Sequence, residues 1–60
     1  MLMSASDLAF MKGEAAALPG DRTEMALIRA TECGYVVPDA RRAAFVQGFL
    51  QTVGVSVGAS

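Results

Sequence analysis

Ala43-Ala44-Phe45-Val46-Gln47-Gly48-Phe49-Leu50-Gln51-Thr52-Val53 is the stretch on which the fold turns. Ala43, Val46, Phe49, Leu50 and Val53 recur at i, i+3, i+6, i+7 and i+10, the period of a helix with one buried face, and Phe45 widens that apolar stripe to roughly 160°. Gln47, Gln51 and Thr52 form an opposite face that is polar but uncharged. This phase makes Leu50 a residue that a charge should damage severely, and Gln51, one position round the wheel, one that should tolerate it. Pro38 and Asp39 just upstream mark a helix start, so the helix is expected over about 39–53, with Gly54 as its stop. The tail 54–60 alternates like a short strand with no partner and is expected to be flexible, or ordered only on contact.

Outward from this segment the signals remain helical. Asp21-x-x-Glu24 has capping-box spacing and Gly34 suits a left-handed C-terminal position, which together predict a second helix over about 22–33. Its apolar residues, Met25, Ala26, Leu27, Ile28, Ala30 and Cys33, spread around much of the circumference, as in a helix sandwiched between two others, with Arg22, Arg29 and Glu32 on the solvated edge. Tyr35-Val36-Val37 then reads as an extended connection. Ser4-x-x-Asp7 repeats the capping spacing at the start of a first helix, about 5–18, closed by Pro19-Gly20. On it Leu8, Met11, Ala15 and Leu18 fall at i, i+3, i+7 and i+10, the expected buried stripe, and Gly13 weakens the helix by about 1 kcal/mol relative to alanine. The expected fold class is therefore all-α: a single domain over residues 1–60, a small three-helix bundle that dimerisation would complete.

Composition narrows the chemistry. The 60 residues include five Lys and Arg, six Asp and Glu, one Cys and no His or Trp. A lone Cys33 cannot close an internal disulfide, and without histidine a structural zinc set cannot be assembled; no cofactor or metal is expected. With no base to activate it, Cys33 reads as an inert, buried or half-buried hydrophobe. Three of the carboxylates, Asp7, Asp21 and Asp39, sit at expected helix starts, which leaves no evident acid/base pair, so no catalytic residue is assigned and the chain reads as a non-enzyme. Met1, Met3, Met11 and Met25 read as fillers of irregular gaps in the core.

A net charge of −1 supplies no general attraction for phosphate or anionic lipid. No membrane span is expected from the interrupted apolar C-terminal third, and the absence of a basic leader suggests the cytoplasm. A chain this short buries only a thin core, so oily surface left over after folding should meet a partner. Tyr35, Phe45, Phe49, Leu50 and Val53 concentrate aromatic and large aliphatic groups and are the candidate partner-binding residues, although the domain's own core makes a competing claim on them. The expected function is a small regulatory interaction module, an antiactivator-like inhibitor that occupies an apolar surface of a larger protein such as a transcriptional regulator, or that pairs with itself as a homodimer. The alternative is a helix-turn-helix-like DNA-binding dimer, in which Ala30-x-x-x-Gly34 makes the turn and Arg41 and Arg42 read the groove.

Overall fold

The structure, a computed structural model, describes residues 3–58, with the surroundings of side chains given through residue 54. Three helices follow one another without strands among the described residues: α1 (Ala5–Ala16), α2 (Ala26–Glu32), entered through a single 3-10 turn (Thr23–Met25), and α3 (Ala40–Gly58). The all-α three-helix bundle expected from the sequence is the fold observed. It is flattened, 34 × 26 × 13 Å, so no helix is enclosed on every side.

The α1 boundary follows the local chemistry closely. Ser4 is the N-cap: its Oγ accepts from the Asp7 N–H at 3.0 Å, and the Asp7 carboxylate accepts from the Ser4 N–H at 3.4 Å, satisfying two otherwise orphaned donors. The helix ends at Ala16, two residues earlier than expected. Leu18-Pro19-Gly20-Asp21 then forms a tight turn, closed by the Asp21 N–H donating to the Leu18 carbonyl at 3.0 Å, with Gly20 at a φ of 89°. Asp21 was expected to cap α2, but the 3-10 turn has no side-chain cap. The Asp21 carboxylate instead accepts the Leu18 N–H at 2.8 Å and a two-pronged bond from Arg29 at 3.0 and 3.2 Å. Arg29 also donates to the Ala16 carbonyl at 3.0 Å, at the open end of α1. Expected on a solvated edge, Arg29 is thus the knot that ties the end of α1, the turn and α2 together, with its own side chain 19% exposed and that of Asp21 only 8%. A guanidinium fork matched to a carboxylate in a sheltered place is the strong form of this pair.

At the end of α2, Gly34 takes a φ of 93° and the chain closes as a Schellman motif. The Tyr35 N–H donates to the Ala30 carbonyl at 2.8 Å and the Gly34 N–H to the Thr31 carbonyl at 3.1 Å. This reversal lays Tyr35 on Phe45, with ring centroids 5.2 Å apart. Asp39 then caps α3, its Oδ1 accepting from the N–H groups of both Arg41 and Arg42 at 3.1 Å. The expected stop at Gly54 is not used: α3 continues to Gly58. A glycine ends a helix by adopting positive φ, and Gly54, unlike Gly20 and Gly34, does not. The part of the expected flexible tail beyond residue 58 lies outside the described residues.

Core packing departs from the expected α1 stripe. The face of α1 turned to α3 is Ala9, Gly13 and Ala16, while Leu8, Met11, Ala15 and Leu18 lie outside. The cause is a backbone-to-backbone crossing. A Cβ on Gly13 would overlap the Phe45 carbonyl oxygen, 2.8 Å from that carbonyl carbon and 3.0 Å from the Phe49 nitrogen. Reciprocally, a Cβ on Gly48 would overlap the Phe10 carbonyl oxygen and lie 3.0 Å from its carbon. The two helices meet glycine into groove on each side, which no larger side chain on the facing surfaces would permit. Phe45 and Phe49 flank this crossing at 0% exposure, Phe45 with Ala9 and Ala30, Phe49 with Ala26 and Val53. The second helix is not sandwiched: it buries Ala26 and Ala30 and leaves Leu27 and Ile28 more than half exposed.

The two kinds of helical glycine make opposite forecasts. Alanine at Gly13 or Gly48 gains about 1 kcal/mol in helix propensity but must push two backbones apart, so each substitution should lower stability by at least about 2 kcal/mol. Alanine at Gly54, which has open space around it, should raise stability by up to about 1 kcal/mol. Urea unfolding followed by circular dichroism compares the three.

Candidate partner-binding surface

Three of the five expected binding residues are consumed by the fold. Phe45, Phe49 and Val53 lie in the buried core, the last at 5% exposure, and are not available to a partner. Tyr35 is half-buried against Phe45. Only Leu50 is counted among the exposed large apolar residues, at 37%. The sequence phase placed the stripe's centre too close to Leu50, because it gave Gly48 no role. With Gly48 at the contact with α1, the buried face centres on Phe45, Phe49 and Val53, and Leu50 moves to its rim.

What Leu50 borders is a groove between α2 and α3. One hollow of about 480 Å³ is lined by Thr23, Glu24, Ala26, Leu27, Val46 and Leu50. A second, of about 300 Å³, is lined by Leu27, Pro38, Asp39, Arg42, Ala43 and Val46. Leu27 and Val46 line both, so the two hollows adjoin and together make a trough along the α2–α3 gap. Its floor and walls come from α2 through Leu27 and from successive turns of α3 through Ala43, Val46 and Leu50. Its ends differ in charge: Glu24 lies at one, Arg42 at the other. Arg42 makes no salt bridge among the described residues, and its buried Nε has no hydrogen-bond partner. Leu27, Val46 and Glu24 were not assigned to a site from the sequence. The all-round apolar character of α2 holds the signal for Leu27, because a helix that is apolar all round yet not sandwiched leaves part of its apolar surface open.

The arginines of the DNA-binding alternative are held differently from groove readers. The Asp39 carboxylate binds the Arg41 side chain at 2.8 and 3.1 Å while capping the helix start. Hydrogen bonds from the Arg41 side chain and the Arg42 backbone hold the Asp39 carboxyl below its usual 3.8, and the same pairing raises the Arg41 guanidinium further above its already high ordinary value. Arg42 is half-buried beside the trough.

The remaining chemistry-bearing groups are dispersed. Cys33, expected to be at least half-buried, is exposed at the C-cap of α2 because only Ala26 and Ala30 of that helix turn inward. Met3 and Met11, expected as core fillers, are about half exposed, and Met25 alone is partly buried; Met1 lies outside the described residues. Among the described residues no group of three or more Cys, Asp or Glu gathers as metal ligands, and no helix is long and apolar enough to cross a membrane.

Set against known proteins, the chain matches no family model, no curated sequence and no solved structure. Its functional reading therefore rests on its own residues.

Aspartate at Phe49 should abolish folding, at Leu50 or Leu27 it should cost about 1 kcal/mol or less, and at exposed Gln51 almost nothing; thermal melts of the four variants rank them. Because folding lowers the Asp39 pKa, its cap contributes above the unfolded-state value near 3.8 and is lost as pH falls through the lower folded value. The stability gap between the natural chain and Asp39→Asn should accordingly be widest near neutrality and close as pH falls below about 4, as read from urea midpoints along a pH series.

Proposed function

We propose that the chain is a small non-enzymatic docking module whose α2–α3 trough receives an amphipathic helix of a larger protein. The observation that carries this reading is the trough itself. It is an open apolar channel between two helices, bordered by Leu27, Val46 and Leu50, with Glu24 at one end and Arg42 at the other. Helix-in-groove recognition uses apolar anchors at i, i+3 or i+4 and i+7 along one face of the incoming helix, with polar groups at its ends. A helix carrying a basic group near the Glu24 end and an acidic group near the Arg42 end is the complement. An acid seated there would satisfy a guanidinium that lacks an ion-pair partner, and such charge matching sets orientation and specificity.

The form of action we propose is inhibition by masking. A module of 60 residues with no assignable catalytic group regulates by covering the apolar helix of a larger protein, as an antiactivator covers a transcriptional regulator. The DNA-binding alternative draws less support, since Arg41 is neutralised by Asp39 and few other cations are available for phosphates.

Affinity capture from the native host with the natural chain, Leu27→Asp and Gln51→Asp as parallel baits tests the reading. Proteins retained by the natural chain and by Gln51→Asp but lost with Leu27→Asp are the expected result. A set of captured proteins indifferent to Leu27→Asp, or salt-sensitive retention on duplex DNA lost on reversing Arg41 and Arg42, would overturn it.

A further inference from the structure

The outer face of α1 is a second apolar surface, separate from the trough. Leu8, Met11 and Ala15 are exposed, and Leu18, just past the helix end, is exposed too. Their spacing is three, four, three, the alternation of the two seam positions in a heptad. In that register Leu8 and Ala15 take position a, and Met11 takes position d. Asp7 and Glu14 then take position g and Lys12 takes position e. Ala9 and Gly13, buried against α3, and half-buried Ala16 fall at positions b and f, on the side away from the seam. One helix thus carries two faces, a small-residue face used inside the domain and a larger apolar face left uncovered.

We infer that this outer face pairs with the same face of a second copy, in parallel, to form a two-fold dimer through α1. The charges select both the occupant and the direction. In a parallel pair each g residue lies beside the e residue five positions later on the other helix, and such flanking pairs decide partner and orientation. Asp7 is five residues before Lys12. Two copies in parallel therefore place Asp7 of each beside Lys12 of the other, twice by symmetry. An antiparallel pair would set e against e and g against g, lysine against lysine and acid against acid. Among the described residues Lys12 forms no salt bridge, and Asp7 engages one carboxylate oxygen in its cap. Both side chains are exposed.

A seam of one 12-residue helix on each side is smaller than a standard permanent interface, which makes this a reversible dimer. Because the seam and the trough share no residue, dimerisation leaves both troughs open, and the inference stands or falls independently of the function proposed for them.

Sedimentation equilibrium of the full chain from about 5 to about 500 µM is the first test, with the expected result a concentration-dependent shift from monomer towards dimer. Met11→Glu should stay monomeric with unchanged helical circular dichroism, Lys12→Glu should weaken association several-fold, and Leu27→Asp should leave it unchanged. In a Cys33→Ser background, Met11→Cys should give a disulfide-linked dimer under mild oxidation, because parallel packing sets each d residue opposite itself, whereas Gln47→Cys should not. A chain that stays monomeric across the range overturns the inference. So does a dimer indifferent to Met11→Glu, or one in which Met11→Cys fails to link. Loss of the dimer by Leu27→Asp instead would assign self-association to the trough.

Discussion

The reciprocal glycine contact between α1 and α3 is the constraint from which the rest of the molecule follows. With Gly13 set against the backbone of Phe45 and Phe49, and Gly48 against that of Phe10, the helices can approach only if the surrounding positions are also small. Ala9 and Ala16 on one side and Ala44 on the other meet that demand. A close crossing brings many backbone and Cβ atoms into dispersion contact, which lets a defined core form around two fully buried large side chains among the described residues, Phe45 and Phe49. The same geometry dictates what cannot be buried. Once the small face of α1 turns inward, Leu8 and Met11 must turn outward.

The short second helix is placed by polar links more than by bulk. Arg29 joins the end of α1 to the turn before α2, and the Schellman closure at Gly34 sends Tyr35 back onto Phe45. Since α2 contributes only Ala26 and Ala30 to the core, it lies against α3 without covering it. The trough is the gap that remains. Apolar side chains that a larger domain would bury are here left exposed in two places, the gap between α2 and α3 with Glu24 and Arg42 at its ends, and the outer face of α1.

Much of this was legible in the sequence because it is local chemistry. Ser4 with Asp7, Pro19 with Gly20, Gly34, and Pro38 with Asp39 marked element boundaries to within about two residues, and the period of the third segment identified its helix. What local patterns could not reveal was which of two faces a helix turns inward. On α1 the larger residues drew the reading, since hydrophobicity favours burying Leu8 and Met11 over Ala9 and Gly13. The backbone approach of a distant glycine, Gly48, reversed that choice. This one error propagated. It concealed the second role of Gly13 and shifted the centre of α3 from Phe49 towards Leu50; of the two claims on Phe45, Phe49 and Val53, partner and core, the core takes all three. Gly54 failed in the opposite direction: a residue type that can end a helix does so only where positive φ is adopted.

The most direct measurement of the central contact is the pattern of nuclear Overhauser effects from the glycine α-protons in a uniformly labelled sample. The reciprocal glycine crossing should give strong cross-peaks from Gly13 to the Phe49 amide and from Gly48 to the Glu14 amide, with none from the Leu8 or Met11 side chains to α3. Cross-peaks from Leu8 and Met11 into Phe45 and Phe49, with the glycine contacts absent, would contradict it.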